Sequence, residues 1–229
     1  MNRFRAAAFF AAILFSLSVV AQVIEKPNQA MKSPETLTLN KIETVKGRSV
    51  FYFTLESKIA NGYFCLDKNT YIIYPDGSKE RLLKASGIPE CPDNYNFKNA
   101  GDKLDFSLSF PALRKDAQWV DLVEDCSSGC MFLYGITLNR QLNSDLDKAF
   151  SESEKSTPEN SVRIFSNILE SIDSKNLGIE GLLYLNIINA SLEAGDKVGA
   201  EVWYKRLGAS GAPRLNFYLK YLNDKGIKF

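Results

Sequence analysis

The residues with the most chemistry to offer are four cysteines, because the 229-residue chain contains no histidine. Without an imidazole there is no Ser-His-Asp or Cys-His nucleophile and no histidine-based zinc protease motif. Cys126 and Cys130 bracket the short Ser-Ser-Gly loop, and Cys65 and Cys91 lie together farther upstream. Four cysteines allow three pairings, and locality favours 65–91 with 126–130. On a chain-entropy estimate the larger loop would stabilise the fold by roughly 3 kcal/mol and the smaller by about 2. Two sharper readings compete. A zinc ribbon uses two close pairs, whereas Cys65 and Cys91 are far apart in sequence. A redox pair is spaced Cys-x-x-Cys, and the Cys126 loop holds one residue more. Structural disulfides are therefore the expectation for Cys65, Cys91, Cys126 and Cys130, with no catalytic, cofactor or metal residue assigned.

Carboxylates come next. Asp121, Glu124 and Asp125 cluster beside the Cys126 loop. Carboxylate pairs can hydrolyse glycosides without histidine, and such clusters can hold calcium. Neighbours 124 and 125 on a strand point to opposite faces, however, and the glycine-punctuated Asp-x-Asp calcium loop is missing. A solvated strand end is the expectation. Trp203-Tyr204 and Phe217-Tyr218 sit at helical spacing among apolar neighbours, and are read as core rather than as a ligand box. Asn189-Ala190-Ser191 fits the glycosylation pattern but falls inside a helix.

The elements that must position these residues follow a segment of another kind. Residues 1–21 read as a cleavable signal peptide: Arg3 and Arg5, an apolar run over Ala6–Val20, and Val19-Val20-Ala21 before Gln22. That run is interrupted by Ser16 and Ser18, below the ~20 apolar residues of a membrane span. No cysteine precedes Cys65 to carry a lipid. The expectation is an exported protein, periplasmic or secreted, soluble and with no stable membrane insertion after cleavage. Cleavage removes two of 28 basic residues, leaving 26 against 27 acidic and a net charge of −1. Such a chain has no electrostatic footprint for nucleic acid. An even cysteine count suits an oxidising compartment.

Residues 22–35 are polar with two prolines and read as a linker. Residues 36–140 read as β. In Lys103–Phe110, Leu104, Phe106, Leu108 and Phe110 share one face, with Lys103, Asp105, Ser107 and Ser109 opposite. Phe132, Tyr134, Ile136 and Leu138 repeat the pattern, and residues 49–55 are apolar on both faces, as in a strand buried on both sides. Residues 37–45 and 70–74 add strands, the latter followed by the turn Pro75-Asp76-Gly77-Ser78. About six short strands separated by turns point to an antiparallel, Ig-like β-sandwich.

Past Asn139 the apolar period changes to that of helices, over residues 141–229. Thr157 caps a helix with Pro158 at its first position, and Val162, Phe165, Ile168, Leu169 and Ile172 form its stripe. Residues 179–193 are apolar almost all round, as in a helix packed on several sides. Gly195-Asp196 turns into the next helix, and Pro213 opens the last, with Leu215, Tyr218, Leu219 and Leu222 inward. With a helix over 142–154 there are about five. Two separately patterned segments imply two cores.

The helical part resembles a tetratricopeptide repeat over residues 184–207. Tyr184 stands where that family has its first large aromatic, Ile187 where it has leucine, Ala200 at the small crossing residue and Tyr204 at the second aromatic. Gly195-Asp196 matches its inter-helix turn, while Ile188 and Ser191 depart from its preferences. The β-part, with its Trp119–Cys126 and Phe132–Leu138 ending, looks like β-sandwich modules of exported bacterial proteins without an assigned activity. The resemblance implies protein contact through stacked helix pairs. The functional expectation is an exported non-catalytic protein, associated with the envelope or secreted, that binds another protein through its helices. The alternative is a hydrolase or carbohydrate-binding module using carboxylates of the β-part.

Overall fold

The computed structural model describes residues 23–127, 129–172 and 175–229, so the expected signal peptide lies outside the described residues. Among them, β1 (Val23–Glu25), β2 (Met31–Ser33), β3 (Leu37–Val45), β4 (Arg48–Glu56), β5 (Tyr63–Phe64) and β6 (Thr70–Ile73) come first. β7 (Lys79–Arg81), β8 (Lys84–Ser86), β9 (Tyr95–Asn96), β10 (Lys103–Pro111), β11 (Trp119–Glu124) and β12 (Phe132–Thr137) complete the strands. Five helices follow: α1 (Arg140–Ser153), α2 (Pro158–Ile172), α3 (Glu180–Glu193), α4 (Lys197–Ala209) and α5 (Leu215–Asp224). The protein is thus α+β, with antiparallel sheets in its N-terminal part and helices in its C-terminal part.

One five-stranded sheet has the order β1-β3-β4-β10-β8 and the other β2-β12-β11-β6-β7, while β5 and β9 form a small ribbon. Both five-stranded sheets contribute to one apolar core, with Phe51, Leu108 and Phe110 from the first and Ile72, Leu122 and Leu133 from the second. β10 keeps the alternation read from the sequence: Leu104, Phe106, Leu108 and Phe110 are buried, Lys103 and Asp105 exposed. β4 corrects an expectation. Ser49, Phe51, Phe53 and Leu55 are buried while Val50, Tyr52 and Thr54 are half-buried, so only one face packs into the core. Its apolar second face was the misleading signal, because Val and Tyr are good strand formers wherever a strand stands.

β12 corrects another. The register against β11 shifts between Val120 and Leu122, and the extra residue of such an irregularity swaps which side chains point inward. Leu133 and then Ile136 and Leu138 enter the core, while Phe132 and Tyr134 stack on each other at 4.4 Å on the other side. The expected linker is also corrected. β1 pairs with β3 and β2 with β12, and between them Asn28 donates its backbone N–H to Asn143 Oδ1 at 2.7 Å. The two prolines, Pro27 and Pro34, follow β1 and β2 instead of lying within them, so neither removes an N–H from the ladder.

The helices form a second apolar cluster, including Phe165, Leu169, Leu183, Ile187, Ile188, Leu207, Tyr218 and Leu222. Asn139 caps α1 by accepting from the Leu142 N–H, Thr157 accepts from the Asn160 N–H, and Asp196 accepts from the Gly199 N–H. These side chains satisfy backbone donors that the first helical turn leaves over. α3 packs against α2, α4 and α5, which explains its apolar circumference. α5 begins two residues after Pro213, because Arg214 is left-handed (φ 60°, ψ 31°) and interrupts the helical path. Among the described residues, no helix is long and apolar enough to cross a membrane.

Candidate functional site

The structure joins Cys65 to Cys91, 26 residues apart, and Cys126 to Cys130, four apart. The first closes the segment carrying β6, β7 and β8; the second closes the β11–β12 turn. Glu124 links the two regions. Its Oε1 accepts from the Asp67 N–H at 2.7 Å and its Oε2 from the Met131 N–H at 2.5 Å. Burial, set against these two donors, pushes its carboxyl above the ordinary carboxylate value. Glu124 therefore occupies both of its carboxylate oxygens with backbone donors.

Asp121 is likewise buried. Its Oδ1 accepts from the Gly135 N–H at 2.8 Å and its Oδ2 from Arg214. The expected solvated strand end holds for Asp125 alone, which is exposed. For Asp121 and Glu124 it is corrected: one lies under the helices and the other beneath the disulfide loops, so each meets a donor instead of water. Among the described residues, no group of three or more Asp, Glu, Cys or His side chains could hold a metal ion.

The aromatic pairs separate. Trp203 packs edge-on against Tyr184 at 6.2 Å with the Arg206 guanidinium 4.1 Å above it, and Tyr204 meets Phe229 at 5.5 Å. Tyr218 is fully buried and Phe217 is exposed. Ser191 of the glycosylation pattern is buried inside α3.

Two surfaces escaped the reading of the sequence. On α4, Val198 is 74% exposed and Val202 lies one turn on, also exposed; on α5, Phe217 and Tyr221 are spaced and exposed in the same way. Residues four apart share a helix face, so each helix presents an apolar stripe to solvent. The signal was present at positions 198 and 202, but an apolar helical residue is read as core unless its neighbours are known. In the β-part, a cleft of about 380 Å³ is walled by Leu55, Ile59, Tyr63, Phe64 and Phe97. Tyr63 is 71% exposed. Glu35 and Lys58, paired at 2.7 Å, stand at its rim, and the hydrogen bond from Lys58 holds the Glu35 carboxyl below its ordinary value.

No family model matches the chain, and no curated protein matches it. Among solved structures it is similar to the yjhA protein from Bacillus subtilis, with 13% sequence identity over 56% of this chain and 89% of that one. The TM-score of 0.27 makes that likeness too distant to carry fold or function.

Proposed function

We propose that this is an exported, non-catalytic protein, periplasmic or secreted, that binds another protein through its helical part. The observation that carries the reading is the pair of exposed apolar stripes, Val198 with Val202 and Phe217 with Tyr221. Apolar groups kept in water on neighbouring elements gain free energy when a partner covers them. The α3–α4 hairpin is read as tetratricopeptide-like, in keeping with a buried Tyr184 and a fully buried Ala200 on either side of the Gly195-Asp196 turn. The double sheet is read as Ig-like. Export is supported by two disulfides in a chain whose first residues carry a signal-peptide pattern; the protein isolated from its own cell is expected to begin at Gln22, and recovery of the uncleaved chain would remove that part of the proposal.

The binding test uses the full chain as bait in an extract of its own envelope, read by mass spectrometry. Capture should fall at least tenfold in Val198→Glu/Val202→Glu and persist in Ile59→Glu. The reverse pattern would move the contact to the β-part.

A second reading is favoured by the cleft, where an exposed tyrosine and the carboxylates of Glu35 and Glu56 surround an apolar floor. It makes the β-part a carbohydrate-binding module. Retention of oligosaccharides on a glycan array, lost in Tyr63→Ala, supports it. Equal retention by the variant removes it.

A further inference from the structure

The outer face of the β12–β11–β6 sheet faces the helices, and two side chains of the helical part reach it: Asn143 of α1 donates from its Nδ2 to the Thr137 carbonyl at 2.8 Å, and Arg214 reaches β11 and β12. Arg214 stands just before α5 in the left-handed region, which a residue with a side chain occupies only where its surroundings hold it. Its guanidinium lies 4.5 Å from the Tyr134 ring and 5.3 Å from the Trp119 ring, and it bonds Asp121. These three partners all belong to β11 and β12. Trp119 returns the contact, donating its indole N–H to the Asn176 carbonyl at 2.8 Å. A Cβ on Gly178 would sit 2.6 Å from the Trp119 ring, and one on Gly135 would overlap the Gly178 carbonyl. Backbone and ring therefore touch with no room for a side chain between them.

We infer that Arg214 makes the sheets and the helices one cooperative folding unit, although each has its own apolar cluster. The charged pair is nearly sealed: the side chains of Arg214 and Asp121 keep 16% and 12% of their exposure. In such a setting, removing one partner leaves the other charged and buried, which costs far more than loss of a surface pair. A guanidinium over aromatic faces is also held more strongly when water is excluded. Glu180 Oε2, Tyr218 Oη and Arg214 Nη1 are buried with no hydrogen-bond partner among the described residues. Water reaching these groups would relieve their desolvation cost, so they oppose the docking that the Arg214 contacts hold in place. If the helices lifted away alone, the Trp119 and Tyr134 rings would be left facing water and the Arg214–Asp121 bond would be lost. The segment tied by Asn28 to Asn143 and Asp147 would lose its anchor as well.

The test is native-state hydrogen exchange by mass spectrometry on the full disulfide-bonded chain across a denaturant series. In the wild-type protein, amides of β10 and of α3 should open together, with exchange rates within threefold of each other near the transition. In Arg214→Ala the α3 amides should exchange at least tenfold faster than those of β10. Arg214→Lys keeps a charge but not the planar fork that lies over both rings, and should separate the two rates in the same direction by a smaller factor. Independent opening of α3 in the wild type would overturn the inference. So would variants whose two elements still exchange in step.

Discussion

Asp105 and Asp121 occupy equivalent places in their strands, each on the face opposite the sheet core, yet their surroundings differ completely. Asp105 is exposed on β10 and accepts a hydrogen bond from Thr54 Oγ1 at 2.5 Å. Asp121 on β11 is covered by the helical part and bonded to Gly135 and Arg214. The two sheets share one core, but the outer face of the β10 sheet meets solvent around Asp105 whereas that of the β11 sheet meets helices. The lesson concerns polarity. A polar residue on the outer face of a strand means water in the first case and a buried bond in the second, and its own identity does not distinguish them.

The sharpest way to break this comparison is to remove both carboxylates separately. Asp121→Ala should destabilise by about 3–5 kcal/mol, because Arg214 is then left buried and unpaired. Chemical denaturation of the purified chain measures it, and a cost similar to that of Asp105→Ala would show that burial does not separate the two sites.

A second prediction tests how far the β-part depends on covalent links that the helices lack. Replacing Cys65 and Cys91 by serine should cost about 3 kcal/mol on the chain-entropy model, seen as a lower midpoint for the whole chain. The Cys126–Cys130 bond, closing only four residues, should matter less when replaced in the same way.

Glu124→Gln gives a smaller effect, about 1–3 kcal/mol, because an amide presents one acceptor to two backbone donors and leaves one N–H unsatisfied. Its pH dependence has a definite sign. The folded carboxyl is held above its ordinary value by burial, so its contribution is full below the normal carboxylate range and is lost as pH rises through the raised value. The difference in stability between wild type and Glu124→Gln, measured across the acid range, should carry that dependence. A difference that instead grew in favour of the wild type with rising pH would show the two N–H donors to outweigh burial.

The smallest effect is expected on the open face. Asp105→Ala should change stability by no more than about 0.5 kcal/mol, the usual range for exposed positions. A loss above 2 kcal/mol would mean that this face is covered after all.

How much of this was legible depended on how many neighbours an element has. β10 could be read residue by residue because one face is buried and the other wet, so a period of two carries its whole environment. The cap at Thr157 is local and could be read from its sequence neighbourhood, whereas those at Asn139 and Asp196 came from the structure. Cysteine pairing needed only proximity along the chain. β12 was misread because an irregularity at Val120/Leu122 changes which side chains point inward, and nothing in a tally of apolar residues records a shift of register. Residues 23–33 were misread because their pairing partners lie far along the chain. The stripes on α4 and α5 were invisible for the opposite reason: an apolar helical face looks the same whether or not another element covers it.

The α+β class, the change from strands to helices near residue 140 and the absence of histidine chemistry follow from composition and short-range periodicity, which are properties of neighbouring residues. The burial of Asp121 and Glu124, the placing of Arg214 against two aromatic rings and the exposure of Val198 and Phe217 were decided by tertiary structure. Each depends on which distant segment comes to lie against the residue, and that is settled by the packing of whole elements.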